Sequence, residues 1–196
     1  MTPGLAIAVL WIGWAASWLL AALWSNPAAS RAGLGREYLY RATLIVGGIL
    51  LAFPRRVPQA WNARMWPLPP AWGWTAVVLI AFGFLFTWWA RLHLGTLWSS
   101  NVTRKEGHHI VDTGPYGLVR HPIYTGLLLA LAVTAATKAT ALALIGFVII
   151  VAGILMKARL EERFLREELG AAEYDAYAAR VPMLVPFTKR RTANGV

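Results

Sequence analysis

Apolar residues fall in long uninterrupted blocks along this chain rather than at the 3.6- or 2.0-residue spacing of half-buried helices and strands. Residues 5–24 run twenty positions without a charge, and residues 72–90 run nineteen. Residues 123–137 and 139–156 form two more blocks, divided only by Lys138. A shorter fifth block, 39–53, has Arg41 near its start. Blocks of this length suit a bilayer, whose hydrocarbon core is crossed by ~20 helical residues. The pattern predicts an all-α polytopic membrane protein of about five transmembrane helices, followed by a C-terminal cytoplasmic helical segment. It reads as a single integral membrane domain, 1–196. Within it, 1–96 hold the N-terminal transmembrane helices, 97–186 the core with the candidate chemistry, and 187–196 a basic tail.

Composition sharpens this picture. Hydrophobic residues make up 58% of the chain and charged residues 14%, against about 25% charged in a soluble domain. A water-soluble globular domain is excluded. There is no cysteine, which removes disulfide frameworks, thiolate metal sites and cysteine nucleophiles. No Lys or Arg precedes residues 5–24, and the block exceeds an ordinary signal core, so it is expected to be a retained span. The net charge of +10 does not call for nucleic acid, because the basic residues flank the spans and suit membrane lipids.

Those basic residues also set the expected orientation. Arg31, Arg36 and Arg41 in loop one lie on the same side as Arg91, Arg104, Lys105 and Arg120 in loop three, and as eight more from Lys157 onward. The opposite side has Arg55, Arg56, Arg64 and Lys138. Positive-inside bias places the N-terminus outside and the C-terminal tail in the cytoplasm; alanine- and arginine-rich usage without an organelle signal suits a bacterial inner membrane. Trp24, Trp61, Trp66, Trp72, Trp74, Trp88, Trp89 and Trp98 cluster near span ends, as aromatic belts do. Residues 54–70 read as a structured outer loop.

Only a residue or two separates the fourth and fifth spans, so they are expected to form an antiparallel hairpin. At 1.5 Å per residue each leg is roughly 24 Å long. Arg120 and His121, just before the fourth span, must then lie close to Lys157 and Glu161 at the far end of the fifth. Gly114-Pro115-Tyr116-Gly117 is turn chemistry, and Pro122 suits a first helical position. Free backbone N–H groups at that helix start are expected to attract an anion. Gly126 leaves room for a ligand or another helix. On the fifth helix, Glu161 lies on a row with Lys157, Leu165 and Leu169 that turns apolar, where an acid needs a partner. Glu162 shares a row with Ala158 and Arg166, with Arg159 nearby, the pattern of a solvated ion-pair face. Glu161 is therefore the carboxylate expected to carry function, with Glu162 a second candidate contact. His93 is read as interfacial. His108, His109 and His121 do not have the ligand spacing of a zinc site.

These residues resemble the isoprenylcysteine carboxyl methyltransferase family, which is related to phospholipid N-methyltransferases. The matching pieces are Gly107-His108-His109-Ile110-Val111, Gly114-Pro115-Tyr116 and Arg120-His121-Pro122-Ile123-Tyr124-Thr125-Gly126. After the hairpin come Glu161-Glu162, Gly170, Tyr174, Tyr177 and Arg180-Val181-Pro182. The resemblance covers residues 98–186. It implies S-adenosylmethionine as the methyl donor, in a cytoplasm-facing pocket at the base of the hairpin. Cofactor contacts fall on His108, His109, Ile110, Val111, Tyr116, Arg120, His121, Pro122, Ile123, Tyr124, Glu161 and Glu162, with Asn101 as a looser match upstream. The carboxyl methyltransferases place an arginine four residues before the cofactor glutamate. This chain has Lys157 there and Arg159 two residues later, and lysine does not supply a bidentate fork.

The expected chemistry is an in-line methyl transfer to a lipophilic small-molecule or lipid acceptor. Lys157 or Arg159 would steer an anionic nucleophile, while Glu161 or His121 would take the proton of an amine. No Gly-x-Gly-x-x-Gly follows a strand, so a Rossmann cofactor domain is not expected. Three other readings stand beside this one: phospholipid N-methylation, an NADPH-dependent membrane reductase sharing an Arg-His-Pro-x-Tyr segment, and a non-enzymatic membrane adaptor.

Overall fold

The computed structural model of the chain describes residues 1–23, 28–31, 34–52, 61, 63–95, 103–105 and 110–188. Its helices are α1 (Pro3–Ala22), α2 (Leu34–Ala52), α3 (Trp72–Leu94), α4 (Pro115–Leu118), α5 (Pro122–Lys138), α6 (Ala141–Leu169) and α7 (Ala171–Arg180). Each of the five apolar blocks has become a helix. Among the described residues, α1, α3 and α6 are long and apolar enough to cross a membrane. The α5 helix is apolar but has only 17 residues, and α2 carries Arg36, Glu37 and Arg41 near its start. A small antiparallel ribbon departs from the all-α expectation: β1 (Ala28–Arg31) pairs with β2 (Thr103–Lys105) and joins loop one to loop three. Strands of four and three residues are too short to leave an alternating pattern in the sequence.

The long helices stand in a row, α1 on α3, α3 on α5, α5 on α6 and α6 on α2. Small residues permit two of these contacts. A Cβ at Gly83 of α3 would come within 2.7 Å of the Gly126 carbonyl oxygen on α5, so the room left by Gly126 is taken by a helix. Across the other seam, a Cβ at Gly146 of α6 would lie 2.6 Å from the Leu51 nitrogen and 2.7 Å from the Gly47 oxygen on α2. Without a hydrophobic drive between helices in lipid, such backbone approach is a principal source of association. Both obstacles at Gly146 are backbone atoms, so Gly146→Val must push the helices apart. A loss of about 1–3 kcal/mol is expected, read as a lower Tm in detergent.

Tryptophans tie the row together from within. Trp14 Nε1 donates to Thr87 Oγ1 at 2.8 Å and Trp11 Nε1 to Thr134 Oγ1 at 3.1 Å. Trp72 and Trp88, expected as belt residues, donate to Thr137 Oγ1 (3.0 Å) and Ser17 Oγ (3.2 Å). Their position near span ends is as expected, but their indole N–H groups point across helix interfaces.

The hairpin closes as its short connection requires. Ala139 adopts a left-handed conformation (φ 55°) and Thr140 caps α6 by accepting from the Ala143 nitrogen at 3.3 Å. The Met65 nitrogen donates to the Ala139 carbonyl at 2.7 Å, placing the loop before α3 at this closed end. At the open end lie the start of α5 and the C-terminal half of α6. The end of α3 lies there too: buried Arg91 ties it to the Gly95 carbonyl (2.6 Å) and to the end of α1 through the Ala21 carbonyl (2.8 Å). The 54–70 expectation falls partly outside the described residues.

Candidate active site

Two stretches nearly forty residues apart in sequence meet at the open end. His121 caps the start of α5 and Tyr124 follows in its first turn. Lys157, Glu161 and Glu162 come from α6, which runs beyond its apolar part to Leu169. The Tyr124 hydroxyl donates to Glu161 Oε1 at 2.6 Å. His121 Nδ1 lies 3.5 Å from Glu161 Oε2, and its Nε2 lies 3.2 Å from Glu162 Oε1. Lys157 Nζ is 3.8 Å from Glu161 Oε1, one helical turn away. The rings of His121 and Tyr124 stack at 5.4 Å with 12° between their planes. All are largely withdrawn from solvent.

Glu162 does not behave as the helical row suggested. Instead of a solvated partner on its own helix, it takes Arg120 Nε at 2.7 Å. Arg166 pairs with Asp175 on α7. The reason is that the chain turns at Gly170 (φ 101°) and packs α7 back under α6. Tyr174, Tyr177, Ala178 and Val181 there bury against Ile110 and Leu165. Arg120 Nη1 donates to the carbonyls of Ala178 (3.1 Å) and Val181 (2.5 Å).

The segment after α7 completes a clasp around the start of α5. The Arg120 and His121 nitrogens donate to the carbonyls of Pro182 (2.9 Å) and Met183 (3.1 Å), and Thr125 Oγ1 donates to Leu184 at 2.6 Å. Pro122 has no N–H. These bonds secure the two amides ahead of α5; the first-turn amides of Ile123 and Tyr124 are not among the donors to the clasp.

Tyr116 is buried on α4, with Ile110 and Val111 partly buried just before it. Burial, reinforced by nearby Glu161, pushes the Tyr116 phenol far above the ordinary tyrosine range, so it stays protonated. His93, read from sequence as a simple interfacial residue, reaches this turn: its Nε2 lies 2.9 Å from Thr113 Oγ1 and its ring stacks on Tyr116 at 6.4 Å. Arg180 meets Asp112 at 3.2 Å. Pro122 is buried and Ile123 partly so at the start of α5. Arg159 is exposed and is not brought to the cluster. Asn101, His108 and His109 lie outside the described residues.

Burial disfavours a charged His121, yet hydrogen bonds to Glu161 and Glu162 and the charges of both carboxylates outweigh it, holding its pKa above the ordinary value of 6.5. A raised folded pKa stabilises below the unfolded pKa, and that contribution is lost as pH rises through the folded value. Tm in detergent should thus fall as the pH climbs above about 6.5. In His121→Asn this step should vanish; its persistence there would assign the titration to another group.

The match to known proteins bears on the same residues. Residues 76–167 match the model described as the Isoprenylcysteine carboxyl methyltransferase (ICMT) family. That stretch, a little under half of the chain, is similar to the family. It takes in most of α3, all of α4 and α5, and α6 through Glu161 and Glu162; α7 and the clasp lie beyond it. Among similar proteins is the cobalt-zinc-cadmium resistance protein CzcN of Cupriavidus metallidurans, 30% identical over 58% of this chain and 51% of its own length. Protein-S-isoprenylcysteine O-methyltransferase B of Arabidopsis thaliana is 33% identical over 44% of each chain. Methanethiol S-methyltransferase 2 of Bradyrhizobium diazoefficiens is 47% identical over 39% of this chain and 29% of its own. The chain thus spans about half the length of these relatives or less.

Proposed function

We propose that this protein is an S-adenosylmethionine-dependent methyltransferase of the membrane, acting on a lipophilic acceptor that presents an anionic atom. The observation that carries this is the meeting of His121 and Tyr124 with Glu161 at the open end of the hairpin. The donor set fits a cationic methyl donor. A carboxylate offers about four lone-pair sites, and Tyr124 and His121 engage Glu161 without exhausting them. The ring of Tyr116 offers a face suited to a cation.

When bound, S-adenosylmethionine supplies an electrophilic methyl on a sulfonium. Transfer forms a bond from the acceptor's electron pair to that carbon, while the carbon–sulfur pair returns to sulfur. The acceptor atom must therefore arrive without its proton. Glu161 would hold the donor's positive charge, with Tyr124 and His121 fixing its carboxylate. Lys157, one turn away, would draw an anionic acceptor to the line of attack. The same cation disfavours an ammonium, which argues against the phospholipid amine reading. A carboxylate of an isoprenylcysteine-like molecule and a thiolate both fit, and a point charge serves a one-atom nucleophile well.

The reading includes five passes, with α2 and α5 completing the three longer spans, the N-terminus outside and the site facing the cytoplasm of a bacterial inner membrane. Parallel titration of the purified protein with S-adenosylhomocysteine and NADPH tests the reading. Affinity for the first alone is expected. Affinity for NADPH alone would support the reductase reading, and affinity for neither would support the adaptor.

A further inference from the structure

The N-terminal half of the chain reaches the site through the α2–α6 seam. Close contacts there pair Leu51 with Gly146, Gly47 with Ile150 and Leu44 with Gly153. The steps between them are four and three residues on each antiparallel helix, the spacing of a regular helix–helix seam. A further step of four leads from Leu44 to Tyr40 and from Gly153 to Lys157. There Lys157 Nζ lies 5.7 Å from the centre of the Tyr40 ring, and 5.4 Å from that of Tyr124. The ammonium thus sits between two tyrosines from different helices.

Tyr40 is 3% exposed, and its hydroxyl finds no acceptor for its proton among the described residues. Arg41, paired one turn back with buried Glu37 at 2.5 Å, also acts on the Tyr40 oxygen, but a guanidinium only donates and leaves the phenol's proton unplaced. An orphaned hydroxyl in such a place is costly and calls for an explanation. Its neighbour Lys157 supplies one. Lysine is a positive charge on a flexible stem, able to swing aside and admit an anion, while the phenol offers a fixed donor beside it.

We propose that Tyr40 and Lys157 together form the seat of the methyl-accepting group, an anionic oxygen or sulfur on a lipophilic molecule entering along α2. The inference rests on the methyltransferase reading and adds a residue outside the family-matched stretch. The Tyr40 hydroxyl donates to the acceptor atom and orients it, while Lys157 balances its charge.

The test uses Tyr40→Phe, which keeps the ring and removes only the donor. Full-length wild type and variant are saturated with S-adenosylhomocysteine and titrated with an N-acylated S-prenylcysteine and with a long-chain alkyl thiol near its pKa. At least a tenfold loss of affinity is expected for whichever probe wild type binds, and the probe bound identifies carboxylate or thiolate. Affinity for S-adenosylhomocysteine should stay within twofold, and Tm should change little, because the phenol donates no structural bond within the fold. Unchanged probe affinity in the variant would overturn the seat, as would a parallel loss of S-adenosylhomocysteine or a wild type that binds the donor analogue and neither probe. A wild type that does not bind S-adenosylhomocysteine would instead remove the methyltransferase reading, and this inference with it.

Discussion

Glu161→Gln should lower the affinity for S-adenosylmethionine by about a hundredfold, roughly 2.7 kcal/mol, while leaving the protein folded. The carboxylate collects the Tyr124 hydroxyl at 2.6 Å, His121 Nδ1 at 3.5 Å and Lys157 Nζ at 3.8 Å. These are three donors from two helices, aimed at one small anion where a ligand can add a fourth. Glutamine keeps the volume and one acceptor oxygen but loses the charge, and hydrogen bonds to a charged group are worth about 1.5–3 kcal/mol. Glu162→Gln should behave differently. Its partners are Arg120 and His121, within the protein's own framework, so the main loss there is in Tm. Calorimetry and thermal unfolding in the same detergent read both variants. Equal, small affinity losses at the two positions would show that neither carboxylate receives the donor.

A companion experiment separates binding from turnover. Lys157→Ala should spare S-adenosylhomocysteine affinity and lower the rate of transfer, because in the proposed function its ammonium serves the acceptor and not the donor. Collapse of donor affinity in that variant would move Lys157 into the donor site.

Much of this site was legible before any coordinates. A connection of two residues between apolar blocks leaves an antiparallel hairpin as the only geometry, and helix rise then brings His121 to Glu161. Glu161 stood out because an acid on an apolar row must find partners, and it found Tyr124 and His121. Other features were hidden for identifiable reasons. The i, i+4 rule sees only neighbours on one helix, so it assigned Glu162 to a solvated row, whereas its partner Arg120 arrives from 42 residues away. Tyr40 gave no signal because its approach to Lys157 depends on the glycine-lined seam between two helices. Arg180-Val181-Pro182 was visible as a motif, but nothing in its spacing told that the carbonyls of Val181 and Pro182 hold Arg120.

Arg120→Ala should be the most damaging single change to stability, about 3–5 kcal/mol, or on the order of 10 °C in Tm. The guanidinium, 3% exposed in its side chain, is split three ways: Nε to Glu162, and Nη1 to the Ala178 and Val181 carbonyls. Its loss leaves Glu162 to His121 and removes a donor from two carbonyls at once. It also loosens the segment after α7, which keeps only its bonds to the Arg120 and His121 amides and to Thr125, so limited proteolysis should cut near Val181 faster in the variant than in wild type. Arg120→Lys should recover little, since an ammonium cannot reproduce the fork. The deciding measurement is a double-mutant cycle. If the cost arises mainly from the stranded carboxylate, Glu162→Leu in an Arg120→Met background should cost far less than Glu162→Leu alone, because an apolar pair can replace a buried ion pair with little penalty. Strict additivity of the two substitutions would show that Arg120 and Glu162 act independently, leaving the Ala178 and Val181 carbonyls as the partners through which Arg120 stabilises the fold.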